Sequence, residues 1–97
     1  MAGADHVTGI VVTVDTFGNL ISNIDAGLVA GFSEPVADIA GHQIPMLTTY
    51  GHARPGEYLA LINSFGVVEI ARAEGSAADG LGSARGAPLI VRNGYEA

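Results

Sequence analysis

Fourteen glycines spread over 97 residues constrain this chain more than any other feature. A glycine inside a helix costs about 1 kcal/mol relative to alanine, whereas its access to positive φ makes it the residue of tight turns. Short apolar runs rich in β-branched residues lie between the glycines. Long helices are therefore disfavoured, and many turns joining short strands are implied.

The runs can be placed. Gly9 to Val14 alternates as a strand, with Ile10, Val12 and Val14 on one face and Val11 and Thr13 on the other. Phe17-Gly18-Asn19 forms a turn, and Leu20 to Ile24 resumes the extended pattern. Asp25 is placed to cap a short helical turn through Leu28 and Val29, weakened by Gly27 and Gly31. Val36–Ile39 and Gln43–Leu47 flank Ala40-Gly41-His42 as a hairpin, and Pro45, which lacks a backbone donor, suits an edge or a bulge. Tyr58–Ile62 and Val67–Ala73 flank the turn Asn63-Ser64-Phe65-Gly66, with Val68, Ile70 and Arg72 on one face. Ser76 can cap one helical turn, and Pro88–Arg92 is the last strand. The expected fold is all-β: a small antiparallel barrel or sandwich of six to seven short strands with at most one short helical turn. Residues 1–97 read as one domain, with no evident internal repeat, linker or low-complexity segment.

Composition narrows the function. Apolar residues make up 48% and charged residues 14%, enough for a core and unlike a disordered tail. Ten acids face four arginines and no lysine, and a net charge of −6 argues against a nucleic-acid surface. The absence of cysteine removes disulfides, thiol catalysis and cysteine-based zinc sites, and is compatible with the cytoplasm. The first residues lack the basic flank and apolar run of a signal peptide. The apolar runs are far shorter than the ~20 residues of a membrane helix. A soluble chain with no membrane or nucleic-acid partner is expected.

No self-sufficient catalytic site is visible. His6, His42 and His52 share no metal-ligand spacing, so no metal is expected. Ser22, Ser64 and Ser76 occupy no nucleophile elbow, and the glycines follow no phosphate-loop spacing. Two segments carry binding chemistry instead. Asp15-Thr16-Phe17-Gly18-Asn19 offers a carboxylate, an aromatic face and a carboxamide within five residues. An asparagine amide can donate and accept at once, matching adenine's amino group and adjacent ring nitrogen. A phenyl ring stacks on a base for ~1–3 kcal/mol, and the aspartate can hold an ammonium. The same segment also suits a plain glycine turn in which Asp and Asn bond their own backbone. Asn63-Ser64-Phe65-Gly66 has a hydroxyl and turn amides that can receive a carboxylate, or can serve simply as a hairpin. Tyr50 offers either an aromatic wall or a loop anchor.

In order and spacing, these segments resemble a known family. Val14-Asp15-Thr16-Phe17-Gly18-Asn19-Leu20-Ile21-Ser22-Asn23-Ile24 and Leu61-Ile62-Asn63-Ser64-Phe65-Gly66-Val67-Val68-Glu69-Ile70-Ala71 are followed by Gly75-Ser76-Ala77-Ala78 and Leu81-Gly82. Together they are similar to the C-terminal β-domain of the S-adenosylmethionine hydroxide adenosyltransferases, relatives of the fluorinase and chlorinase, over about residues 8 to 92. The resemblance implies cleavage of S-adenosylmethionine by water or hydroxide to adenosine and methionine, with no further cofactor. It also implies a trimer in which each substrate lies between an N-terminal domain of one subunit and the β-domain of the next. The water-activating residues would belong to that N-terminal domain, which is absent from these 97 residues, so the chain alone is expected to be inactive. Position by position, Asp15 and Ser64 would face the methionine end as ammonium and carboxylate partners. Phe17 and Asn19 would meet the adenine, Tyr50 would add an aromatic wall, and backbone around Arg72 and Ala73 would border the base. Phe65 stands where halogenating relatives carry an arginine, which points to the hydrolase branch. A free-standing adenosine- or S-adenosylmethionine-binding module and a structural oligomerisation domain are the alternative readings.

Overall fold

The computed structural model describes residues 5–47 and 53–94. Its elements are β1 (His6–Val14), β2 (Leu20–Asp25), α1 (Ala26–Val29), β3 (Pro35–Ile39), β4 (His42–Pro45), β5 (Tyr58–Ile62), β6 (Val67–Arg72), α2 (Ala77–Leu81) and β7 (Pro88–Asn93). The strands form a seven-stranded sheet in the order β4-β3-β7-β1-β2-β6-β5, every neighbouring pair antiparallel. Its two edges approach each other where Met46 bridges Ala60 in the parallel sense. Leu47 N–H donates to the Ala60 carbonyl there at 2.7 Å. The result is a nearly closed barrel, which leaves little free strand edge. Pro45 lies on edge strand β4, where a missing donor is tolerated.

Both candidate helical turns form, one more than expected. Asp25 accepts the Gly27 N–H at 3.2 Å and caps α1, and Ser76 accepts the Asp79 N–H at 3.1 Å and caps α2. One cap hydrogen bond each suffices for helices of four and five residues, because both pack on the barrel.

The alternation expected in β1 holds only in part. A bulge between Val11 and Thr13 shifts the register against β2. Val7 and Val11 are buried, Ile10 and Val12 face outward, and beyond the bulge Val14 packs against the core. In β6, Val68, Glu69, Ile70 and Ala71 are all buried, so both faces of this strand are covered rather than one.

The register also slips between β2 and β6, between the Ile21–Glu69 and Asp25–Val67 pairs. Ser22, buried in this gap, replaces the lost ladder contacts. Its Oγ donates to the Val68 carbonyl at 2.6 Å and accepts the Ile24 N–H at 3.1 Å. Ser22→Ala leaves a buried carbonyl and a buried N–H without this partner, so it is expected to lower unfolding free energy by ~1–3 kcal/mol. Urea denaturation followed by circular dichroism measures the loss, and an unchanged midpoint would show that the hydroxyl does not stitch the slip.

Candidate functional site

The turn Asp15–Asn19 joins β1 to β2 through a tightly specified set of bonds. Asp15 N–H donates to the Asn19 carbonyl at 3.1 Å, and Gly18 N–H donates to the Asp15 carbonyl at 3.0 Å. Asp15 Oδ1 accepts the backbone N–H groups of Phe17 and Asn19, each at 2.9 Å, and Oδ2 accepts Asn19 Nδ2 at 2.9 Å. Gly18 has φ +82°, and a Cβ there would lie 1.9 Å from Ser76 Oγ. Glycine is therefore required twice, once for conformation and once for close approach. The Gly18 carbonyl accepts Ala78 N–H at 2.9 Å, which docks the turn onto the start of α2.

These bonds set the chemistry of both side chains. Partial burial pushes the Asp15 pKa up, but donation from Asn19, Phe17 and Gly18 outweighs it and holds the carboxyl below its ordinary value of 3.8. Asn19 Nδ2 is turned toward Asp15, which leaves its other N–H and the amide oxygen for a partner. A planar donor–acceptor edge remains, fixed in orientation by a carboxylate. Beside it, Phe17 is 78% exposed. An aromatic ring this open at a turn tip adds little to the core and is available to stack.

The Arg72 end of β6 adjoins this turn. Leu20 pairs with Ile70, so Asn19, one residue back, lies toward Ala71 and Arg72. Arg72 Nε donates to the Gly56 carbonyl at 2.9 Å, and the guanidinium sits 5.1 Å from the centroid of the Tyr58 ring. His42 meets the same ring edge-on at 5.3 Å. A Cβ at Gly80 would lie 2.1 Å from Tyr58 Oη and 2.8 Å from Arg72 Nη1, which accounts for a glycine inside α2. Ala73 exchanges backbone bonds with the preceding loop: its N–H donates to the Glu57 carbonyl at 2.9 Å and its carbonyl accepts Gly56 N–H at 2.8 Å. Arg72 and Ala73 are thus fastened to the Gly56–Tyr58 segment, with the N–H and carbonyl of Ala73 already engaged.

Asn63–Gly66 is the same turn built again. Gly66 N–H donates to the Asn63 carbonyl at 3.0 Å, and Asn63 N–H donates to the Val67 carbonyl at 3.0 Å. Asn63 Oδ1 accepts Phe65 N–H at 3.0 Å and Val67 N–H at 3.3 Å, and Gly66 has φ +78°. Ser64 is exposed and Phe65 is 87% exposed. The sequence does contain a small repeat after all: Asp-Thr-Phe-Gly-Asn and Asn-Ser-Phe-Gly-Val. Each reads as a hydroxyl residue, then Phe-Gly, after a side chain able to accept two N–H bonds.

The two turns lie apart. Asp15–Asn19 sits at the Leu20 end of β2, while the Gly66 carbonyl accepts Ala26 N–H just past the Asp25 end. A strand of six residues separates them by about 17–20 Å. Asp15, Phe17, Asn19, Arg72 and Ala73 are therefore grouped at one barrel end and Ser64 at the other. One copy does not bring Asp15 and Ser64 to a common point. Tyr50 lies outside the described residues. Among the described residues, surface grooves of about 300, 470 and 190 Å³ are lined by residues of β3, β4 and the segments beside them, with Met46, Leu47 and Ile62, and these three do not include the candidates. Among the described residues no cluster of three metal-ligating side chains occurs. Among them, too, no helix is long and apolar enough to cross a membrane.

The barrel thus carries an aromatic ring and an amide on its β1–β2 turn, and a hydroxyl and a second aromatic ring on its β5–β6 turn. A family model described as the SAM hydroxide adenosyltransferase C-terminal domain matches residues 9–90, and this chain belongs to that family. It is 36% identical over 81 residues to the (R)-S-adenosyl-L-methionine hydrolase of Thermus thermophilus, covering 84% of this chain and 30% of that protein. Among solved structures, an uncharacterized conserved protein from Thermotoga maritima superposes with a TM-score of 0.80 at 26% identity, over 95% of this chain and 38% of that one. A conserved hypothetical protein from Thermus thermophilus gives 0.71 at 31% identity, over 87% and 32%. The chain spans about a third of the length of these relatives.

Asp15 has a testable acid signature. Its pKa is depressed on folding, so its contribution to stability is complete above the unfolded value and is lost as pH falls through the folded one. Asp15→Asn is expected to be less stable than the parent at neutral pH, with the gap shrinking as pH is lowered past 3.8 and through the depressed folded value. Urea midpoints across that range measure it, and a constant gap would contradict a charged Asp15 holding the turn.

Proposed function

We propose that this chain is the substrate-capping domain of an S-adenosylmethionine hydrolase, which converts S-adenosylmethionine and water to adenosine and methionine. The observation that carries the reading is the Asp15–Asn19 pair, in which a carboxylate fixes the amide so that one N–H and one oxygen remain free beside an exposed phenyl ring. That edge complements the amino group and ring nitrogen of adenine, and Phe17 supplies a stacking face. Asp15, whose oxygens hold its own turn, acts here through Asn19 in place of the ammonium contact that the resemblance implies, and Ser64, at the far end of β2 and β6, receives the amino-acid portion. A substrate reaching both turns of one copy lies lengthwise along that strand pair.

The remaining chemistry belongs to a second domain. Water attacks the 5′ carbon as its bond to sulfur breaks. The electron pair leaves with methionine, and the water proton passes to a base. A sulfonium needs no acid to leave, so the binding domain's task is to align and desolvate the substrate. No residue described above is placed as that base. The expected base lies in the partner domain, which corresponds to the rest of the relatives' length. Contact across subunits, a homotrimeric assembly and a cytoplasmic location belong to the same proposal.

Mixing the chain with the remaining portion of the Thermus thermophilus relative, expressed separately, is expected to yield adenosine by chromatography, with neither part active alone. Asn19→Ala should then raise KM roughly tenfold to a hundredfold, the worth of a lost bidentate base contact, with a smaller effect on kcat. Unaltered kinetics for this variant would contradict the assignment of Asn19.

A further inference from the structure

The two matching turns differ in one respect, and the difference has a physical cause. The Asp15 carboxylate accepts through either oxygen and needs no orientation to hold its turn. Asn63, at the same place in the second turn, presents an oxygen or an NH₂ depending on how its amide is rotated. Only the oxygen can accept from Phe65 and Val67. These two backbone donors favour the oxygen, and a partner for the NH₂ group holds that rotation. Glu69, only 8% exposed on β6, accepts Asn63 Nδ2 at 3.2 Å and is that partner. Acid and amide are paired in both turns, but in opposite order: Asp15 with Asn19, and Asn63 with Glu69.

Burying a carboxylate is costly, and a neutral side chain would fill the position more cheaply if packing were all it served. Glu69 lies opposite Ile21 on β2 and Leu61 on β5, between two apolar partners. We infer that Glu69 is a positioning residue: through Asn63 it holds the Phe65 and Val67 amides inward and thereby presents Ser64 and Phe65 at this end of the barrel. Its bearing on substrate rests on the reading that Ser64 receives part of S-adenosylmethionine.

Three variants of the chain separate the possibilities: Glu69→Gln, Asn63→Asp, and the two combined. The combination gives this turn the acid-then-amide order of Asp15 and Asn19. Amide nitrogen–proton NMR reads the frame directly. Glu69→Gln is expected to move the Phe65 and Val67 signals while Phe17 and Asn19 stay in place. Asn63→Asp alone sets two carboxylates together and should disrupt the turn, and the combined variant should return both signals toward their original positions. Unmoved Phe65 and Val67 signals in Glu69→Gln, or a combined variant no better than Asn63→Asp, would overturn the inference. Titrating S-adenosylmethionine in the same samples reads the functional part. Glu69→Gln, which exchanges a charged acceptor for a neutral amide that must itself be oriented, should weaken the response at Ser64 severalfold, with recovery in the combined variant. The titration is repeated with the remaining portion of the Thermus thermophilus relative present: a parent chain whose turn behaves as expected but whose Ser64 ignores the ligand even then would sink the assignment of Ser64 to the substrate and leave the positioning role standing.

Discussion

One carboxylate organises the best-formed part of this surface. Asp15 accepts two backbone N–H groups and one side-chain N–H. Those three bonds close the β1–β2 turn, turn the Asn19 amide and leave Phe17 in solvent. The shape of the turn then permits Gly18 to lie against Ser76, which docks α2. With α2 in place, Gly80 rests on Tyr58 and Arg72 beside the turn. Local hydrogen bonding and tertiary packing are thus coupled through one short segment, and the candidate binding groups are held by both.

The barrel answers a different constraint. A chain of 97 residues with fourteen glycines has little core to spend on long elements. Seven short strands that nearly close on themselves bury Val11, Leu20, Ile24, Ile70 and Leu89 in one cluster and leave few unpaired strand edges. The two register slips, in β1 against β2 and in β2 against β6, bend the sheet toward closure. At the second slip Ser22 restores what the ladder loses.

Much of this is legible in the residues. The β-branched runs and glycine turns locate every strand to within a few residues, and the capping roles of Asp25 and Ser76 follow from their side chains and positions. The orientation of β1 is not legible, because a bulge reverses the alternation and no single residue announces it. Burial on both faces of β6 is hidden for a similar reason: alternation puts Glu69 on the face opposite Val68 and Ile70, and nothing in the residue itself says that this face is covered too. Within the site, Asp15, Phe17 and Asn19 can be singled out from residue type alone, and the structure places them together. The separation of Asp15 from Ser64 depends on the β2–β6 pairing, which residue spacing does not encode. The duplicated turn is written in the residues as Phe-Gly after a hydroxyl residue, but its meaning lies in the hydrogen bonds of Asp15 and Asn63.

The central claim is that the Asp15–Asn19 end reads the adenosine portion of the substrate and the Ser64 end reads the rest. Amide NMR titration of the isotope-labelled chain, first with adenosine and then with S-adenosylmethionine, tests it most directly. The account predicts saturable shifts at Phe17 and Asn19 with adenosine, extending to Ser64 and Phe65 only with S-adenosylmethionine. Shifts at Ser64 with adenosine alone, or none at Phe17 and Asn19 at millimolar concentrations of either ligand, would contradict it.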